Sequence, residues 1–178
     1  GGAHEIVVDS SYAYFANHGS GTIQKVPLSG GTLQTIGAGA PNGLALNPAQ
    51  DAIVWTDVDS VKGHSLMSSA AWTVASGQST PKGIVVDQAV PYWVNTGTQK
   101  AVMKSGAVLA LDAASGPIAL DAGYVYWTND AAGAIKRVPR EGGAVEVVAT
   151  GGPYSSIAVD SQVVYFGASS VVGKIAKP

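Results

Sequence analysis

The sequence predicts an all-β chain folded as a β-propeller, with five antiparallel four-stranded blades of which the last stops short. Three observations lead there. An aromatic-centred strand is written five times, as "SYAYFANH" (11–18), "DAIVWTDV" (51–58), "VPYWVNTG" (90–97), "GYVYWTND" (123–130) and "QVVYFGAS" (162–169). The central rings, Phe15, Trp55, Trp93, Trp127 and Phe166, fall 40, 38, 34 and 39 residues apart, a period that belongs to stacked supersecondary units. No stretch of about 10 to 12 residues places apolar side chains at i, i+3, i+4 and i+7, which excludes helical solenoids of similar period.

Each unit divides into four strands. The first ends on a short polar residue: "EIVVD" at Asp9, "GLALN" at Asn47, "GIVVD" at Asp87, "PIALD" at Asp121 and "SIAVD" at Asp160. Branched side chains suit the pleated surface of such a run. The second strand carries the ring, which buries roughly 150 to 250 Å² and so fills the wedge between neighbouring blades. Two residues beyond the first four rings stand Asn17, Asp57, Asn95 and Asn129, whereas Gly167 follows Phe166 directly. A short polar side chain there caps the turn by bonding exposed backbone, and the Asp ending each first strand reads the same way. In the third strand, "GTIQKVPLSGG" (21–31) and "GAIKRVPREGG" (133–143) match almost residue for residue, with "KAVMKSG" (100–106) and "VVGKIAKP" (171–178) as looser copies. Lys25, Lys104, Arg137 and Lys174 recur on it, near the outer edge, where charge protects solubility. The fourth, "TLQTIG" or "AVEVVATG", closes the unit.

One domain over 1–178 follows, with repeats at 1–40, 41–80, 81–116, 117–151 and 152–178. Five fours less one gives about 19 strands, because the last unit ends at "GKIAKP". The alternative is an incomplete six-bladed propeller. Lys174, Lys177 and the final Pro discourage strand addition at the open edge, so a monomer is expected.

The 178 residues are 46% apolar, enough for a sizeable core. Only 12% are charged, the net charge is −2, and the basic residues are scattered, which argues against nucleic acid as a partner. No apolar run reaches the roughly 18 residues of a membrane span, and no signal segment opens the chain, which reads as mature or truncated. The absence of cysteine excludes disulfides and thiolate metal sites. Twenty-three glycines and nine prolines are dispersed as turn punctuation.

The stretches "PNGLALNPAQDAIVWTD" (41–57) and "GPIALDAGYVYWTN" (116–129) resemble the strand pair of YWTD propellers, found in the extracellular domains of low-density-lipoprotein receptors and in related bacterial repeat proteins. The resemblance covers essentially the whole chain. It implies a propeller that binds a partner outside the cytoplasm, extracellular or periplasmic. It departs from the receptor domains in blade number, six there and five here.

Recognition belongs where the repeats differ, since a frame position is fixed by folding. In a four-stranded meander the loop entering the first strand and the loop joining the second to the third emerge on one face. His4, Asn42, Lys82, Gly116 and Ser155 each stand five residues before the end of a first strand, around the channel mouth. Beside them lie Glu5, Tyr154, His18, Asp59 and Asp130. Acids, imidazoles, an ammonium and an aromatic together suit a small polar ligand or a protein, and a non-catalytic binding or scaffold module is expected, with no cofactor.

The alternative is a calcium-dependent lactonase-like hydrolase or lyase working in the channel mouth. The segment "PNGLA" is similar to one in gluconolactonase-like propellers, and that resemblance implies Asn42 and Glu5 as metal ligands. Lys82 occupies the position that would supply the next carboxylate, and a cation beside a divalent metal is unfavourable. Elsewhere, "DVDSVKG" (57–63) begins like a calcium loop, but Val61 replaces an oxygen ligand and no Glu follows at the twelfth position. His4, His18 and His64 share no metal-ligand spacing, and no G-x-S-x-G elbow is present.

Overall fold

Short Val-, Ile- and aromatic-rich runs punctuated by Gly, Asn and Asp pair with their sequence neighbours, and each set of four makes a meander. The computed structural model describes residues 3–177, and of Ala3 and His4 the backbone alone. Blade one comprises β1 (Ala3–Val8), β2 (Tyr12–Asn17), β3 (Thr22–Pro27) and β4 (Gln34–Ala38). Blade two comprises β5 (Gly43–Leu46), β6 (Ala52–Thr56), β7 (Val61–Ser65) and β8 (Ala71–Ala75). Blade three comprises β9 (Pro81–Asp87), β10 (Val90–Asn95), β11 (Ala101–Lys104) and β12 (Ala107–Ala110). Blade four comprises β13 (Ile118–Leu120), β14 (Tyr124–Asn129), β15 (Ala134–Pro139) and β16 (Glu146–Thr150). Blade five has three strands, β17 (Ser156–Val159), β18 (Val163–Ala168) and β19 (Val171–Ala176). Strands are neighbours in chain order within every sheet, all pairs are antiparallel, and the only helix among the described residues is the 3₁₀ turn Asp130–Ala132.

The register shows why the aromatic recurs. Ile6 pairs with Phe15, Leu44 with Trp55, Ile84 with Trp93, Ile118 with Trp127 and Ile157 with Phe166, so every ring sits at one position of its blade. Trp55 packs on Tyr14, Ala16 and Ile23 of blade one. Trp93 packs on Val54 and Val61 of blade two, and Trp127 on Tyr92, Val94 and Val102 of blade three. Phe166 completes the series on Tyr126 and Ile135 of blade four. Each ring thus belongs to the blade before its own. Phe15 has no such blade and stays half-buried, against the expectation that it fills a wedge.

One β-bulge recurs. The pairing of third to fourth strand slips after Ile23, Val61, Val102 and Ile135, each a fully buried residue of its third strand. A bulge increases local twist, and its placement adds that twist where the outer strand turns away from the neighbouring blade.

The polar residue ending the first strand does more than cap a turn. Asp9 Oδ1 accepts from the Ser11 and Tyr12 amides, and its Oδ2 accepts from the Tyr14 hydroxyl at 2.7 Å. Asp121 repeats this with Gly123, Tyr124 and the Tyr126 hydroxyl at 2.9 Å, and Asp160 with Gln162, Val163 and the Tyr165 hydroxyl at 2.9 Å. Burial disfavours the charge on Asp121, but Lys177 and these donors outweigh it and hold the carboxyl at about 2. Burial together with Asp121 pushes the Tyr126 hydroxyl up to about 12.

The third-strand cations also differ from expectation. Arg137 is buried, lies 4.1 Å from the centre of the Tyr124 ring, and pairs with Glu146 at 2.7 Å. Lys25 stands 4.6 Å over Tyr12, and Lys104 reaches Glu141 at 3.0 Å. Apolar stems and ring faces draw these groups against the sheet; Lys174 alone is exposed as a solubilising charge would be.

Candidate functional site

The loops entering β5, β9 and β13 converge on the channel because glycine lets their backbones touch. A Cβ on Gly43 would stand 3.0 Å from the Lys82 carbonyl oxygen, and one on Gly83 would stand 2.0 Å from the Gly116 carbonyl oxygen. No other residue permits the second approach. The rim so formed encloses a cavity of about 530 Å³, with Glu5, Asn42, Lys82, Gly116 and Ser155 at its mouth and Leu44, Ile84, Ile118 and Ile157 along its wall. Polar groups surround the opening, and aliphatic side chains line the way down.

Glu5, Lys82 and Ser155 are exposed, Asn42 is half-buried, and Gly116 is buried. Among the described residues none hydrogen-bonds the Lys82 ammonium or the Asn42 amide side chain, although the Asn42 backbone N–H donates to the Thr56 carbonyl at 3.0 Å. An acid and a base thus share one opening, and two side chains in it have bonding capacity that the frame does not use. A second recess of about 320 Å³ adjoins, between Glu5, His18, Pro41 and Asn42, where the His18 Nδ1–H donates to the Pro41 carbonyl at 3.3 Å.

Four of the expected site residues lie elsewhere or beyond view. Tyr154 is buried between blades four and five, its ring edge-on to Phe166 at 5.0 Å and its hydroxyl donating to the Thr150 carbonyl at 2.9 Å. It is core, because the chain turns inward there to fill the wedge beside a Phe smaller than Trp. Asp59 is exposed outside both cavities, and its carbonyl accepts from the Gln78 amide. Asp130 opens the 3₁₀ turn, with its N–H donating to Ser115 Oγ at 2.6 Å. The side chain of His4 lies outside the described residues.

The structure also shows polar ties across blade junctions, each joining the residue two beyond the ring of a second strand to a residue 17 positions earlier in the chain. Asp57 Oδ1 accepts from the Ala40 amide at 2.7 Å, while its Oδ2 pairs with Lys62 at 2.5 Å, so the supposed start of a calcium loop is an ion pair. Gln78 Oε1 accepts from Trp93 Nε1 at 3.1 Å and Asn95 Nδ2 at 3.2 Å. Asp112 accepts from Asn129 and pairs with Lys136 at 2.6 Å. The residue types change from junction to junction while the spacing stays the same, so the signal in the sequence was the position two beyond each ring and not a shared residue at its partner.

No protein-family model and no curated protein matches the chain. Solved structures do. The nidogen propeller of a nidogen–laminin complex superposes with a TM-score of 0.79 at 19% identity, over 97% of this chain and 75% of that one. Virginiamycin B lyase from Staphylococcus aureus gives 0.73 at 12% identity, over 99% and 70%. The computationally designed Ika8 protein gives 0.75 at 14% identity, over 96% and 57%. The chain therefore spans between 57% and 75% of the length of these structures, and what they share with it is the β-propeller fold.

Proposed function

We propose that this chain is a non-catalytic recognition propeller of the YWTD kind that works outside the cytoplasm and binds a protein or a small polar ligand at the channel mouth. The observation that carries the reading is the cavity of about 530 Å³ whose opening combines Glu5, Lys82, Asn42 and Ser155 above an aliphatic wall. Such a pocket orients a ligand by a few polar groups and holds it by apolar area. A ligand bearing both an anionic and a cationic group matches the opposed charges. A nidogen propeller crystallised in a complex with laminin shows that a similar fold serves protein binding, and among the described residues no helix is long and apolar enough to cross a membrane.

The residues at the mouth do not fit a calcium ion. Calcium takes six to eight oxygens, usually with several carboxylates, whereas among the described residues Glu5 is the only carboxylate lining the cavity and Lys82 lines the same space. The binding reading therefore calls for no calcium. The neighbouring recess supports a second reading, a hydrolase or lyase, because the His18 imidazole and the Glu5 carboxylate line it together, the residue types of an acid and a base.

One experiment separates the two. Chelator-treated protein is titrated calorimetrically with calcium chloride, then with dipeptides that carry both termini charged, and is assayed with a γ-lactone. Dipeptide heat that weakens at least about tenfold in Lys82→Ala, with no calcium heat and no lactone turnover, supports recognition. Micromolar calcium binding or turnover lost in His18→Ala would replace it by the enzyme reading.

A further inference from the structure

We infer that the seam between blade five and blade one is a docking site for one further β-blade, a meander with an aromatic at the centre of its second strand. The internal repeat makes the comparison direct. Ile23, Val61, Val102 and Ile135 occupy one register position on four third strands, and each is 0% exposed. Val172 holds that position in blade five and is 86% exposed. Tyr165 is 39% exposed, whereas its counterparts Tyr14, Tyr92 and Tyr126 are exposed by 2% or less. On the opposite flank, Ile6 is 65% exposed, while Leu44, Ile84 and Ile118 stay at 8% or below.

These two flanks are of different kinds. Tyr165 and Val172 belong to the face that, in the other four blades, receives the ring of the next blade. Ile6 and Phe15 belong to the face that inserts a ring into the blade before. Among the described residues the four inter-blade cores join successive blades, and none joins blade five to blade one. What covers the equivalent faces elsewhere is always a blade, so the occupant that fits both flanks at once is a blade that offers a ring to Tyr165 and Val172 and a Tyr with a branched residue to Phe15 and Ile6. Blade four has that pattern, with Trp127 on one face and Tyr126 and Ile135 on the other. The superpositions agree: nearly all of this chain matches, yet a quarter or more of each longer propeller remains unmatched. The large apolar side chains left in water at the seam are what an interaction face presents.

The test adds a blade of known pattern. A second copy of residues 116–151 is fused after residue 178 through a flexible Gly/Ser linker, and hydrogen exchange is followed in segments 6–8 and 171–176, with sedimentation in parallel. The fused protein should sediment as a compact monomer, and both segments should exchange at least about tenfold more slowly than in the unfused chain. Val172→Lys in the fusion should erase the slowing and leave β10 and β11 protected; because Val172 is exposed, the same change in the unfused chain should leave its circular dichroism unchanged. Unchanged exchange in both segments, or slowing that survives Val172→Lys, would overturn the proposal. So would protection of both segments already present in the unfused chain, whether in a monomer, where blade five closes directly on blade one, or in a dimer, where a second copy covers them.

Discussion

Replacing Trp127 by alanine tests the packing scheme at its centre. The side chain is 0% exposed and lies among Tyr92, Val94, Val102, Ile118, Val125 and Val138. Burying roughly 250 Å² at about 25 cal/mol per Å² gives an upper limit of about 6 kcal/mol. Alanine keeps the Cβ and the walls relax in part, so the expected loss is about 3 to 5 kcal/mol. The indole N–H has no partner among the described residues, so no hydrogen bond is lost and the whole effect is packing. For a domain with about 5 to 15 kcal/mol of total stability this is a large share, and the melting temperature should fall by roughly 6 to 20 °C. Urea unfolding followed by circular dichroism gives the number. Phe166→Ala, at the same register position but half-buried, is the internal comparison and should lose about half as much or less. A loss below about 1 kcal/mol for Trp127→Ala would mean that the ring does not fill the junction between blades three and four.

Ile135→Ala should lose about 2 to 4 kcal/mol and Val172→Ala less than about 0.5, although both residues hold one register position; equal losses in urea unfolding would remove the distinction between a covered and an open flank. Asn42→Ala and Lys82→Ala should leave unfolding within about 0.5 kcal/mol of the parent while weakening binding at the mouth, and unfolding of both variants would make the rim structural. On acidification the folded Asp121 carboxyl stays charged to about pH 2, below its ordinary 3.8. Its contribution to stability is therefore complete above 3.8 and lost as pH falls toward 2. Tyr126, raised from 10.0 to about 12, contributes below pH 10 and loses that contribution as pH rises toward 12. Asp121→Asn should flatten the acid limb of a stability profile measured by urea midpoints from pH 2 to 5, and an unaltered limb would count against the assignment.

The frame was legible because it is periodic. The spacing of Phe15, Trp55, Trp93, Trp127 and Phe166 sets the blade count, and the missing copy of "TLQTIG" after "GKIAKP" sets the three-stranded last blade. The bond from Asp9 to Tyr14 was within reach too, since an Asp five residues before a Tyr recurs at Asp87, Asp121 and Asp160. In blade three the same pair is joined through Arg140, which donates to Asp87 Oδ2 at 2.5 Å and to the Tyr92 hydroxyl at 3.2 Å. What periodicity cannot show is which flank of a repeat has a neighbour. Ile6 and Leu44 are alike in sequence position and differ in exposure, 65% against 4%, because only one has a blade before it. Tyr154 looked like a rim aromatic because its loop enters a first strand, but its side chain follows the wedge inward.

The polar residues sort by whether the frame uses them. Asp9, Asp121 and Asp160 each satisfy two backbone amides and a tyrosine hydroxyl, and Asp57, Gln78 and Asp112 each tie one blade to the next. Removing any of these leaves a donor without its acceptor, so folding alone accounts for their presence. Lys82 and the Asn42 side chain stand under no such demand: no described residue bonds them, and the glycines that shape the rim, Gly43 and Gly83, would hold it with other side chains at 42 and 82. An exposed lysine on the lining of a cavity that also has a carboxylate and an amide is expected to be neutral for folding, and its consequence is the charge pattern at the mouth. Under the proposed binding reading, substitutions at those two positions should change recognition, while the turn and junction residues answer to stability.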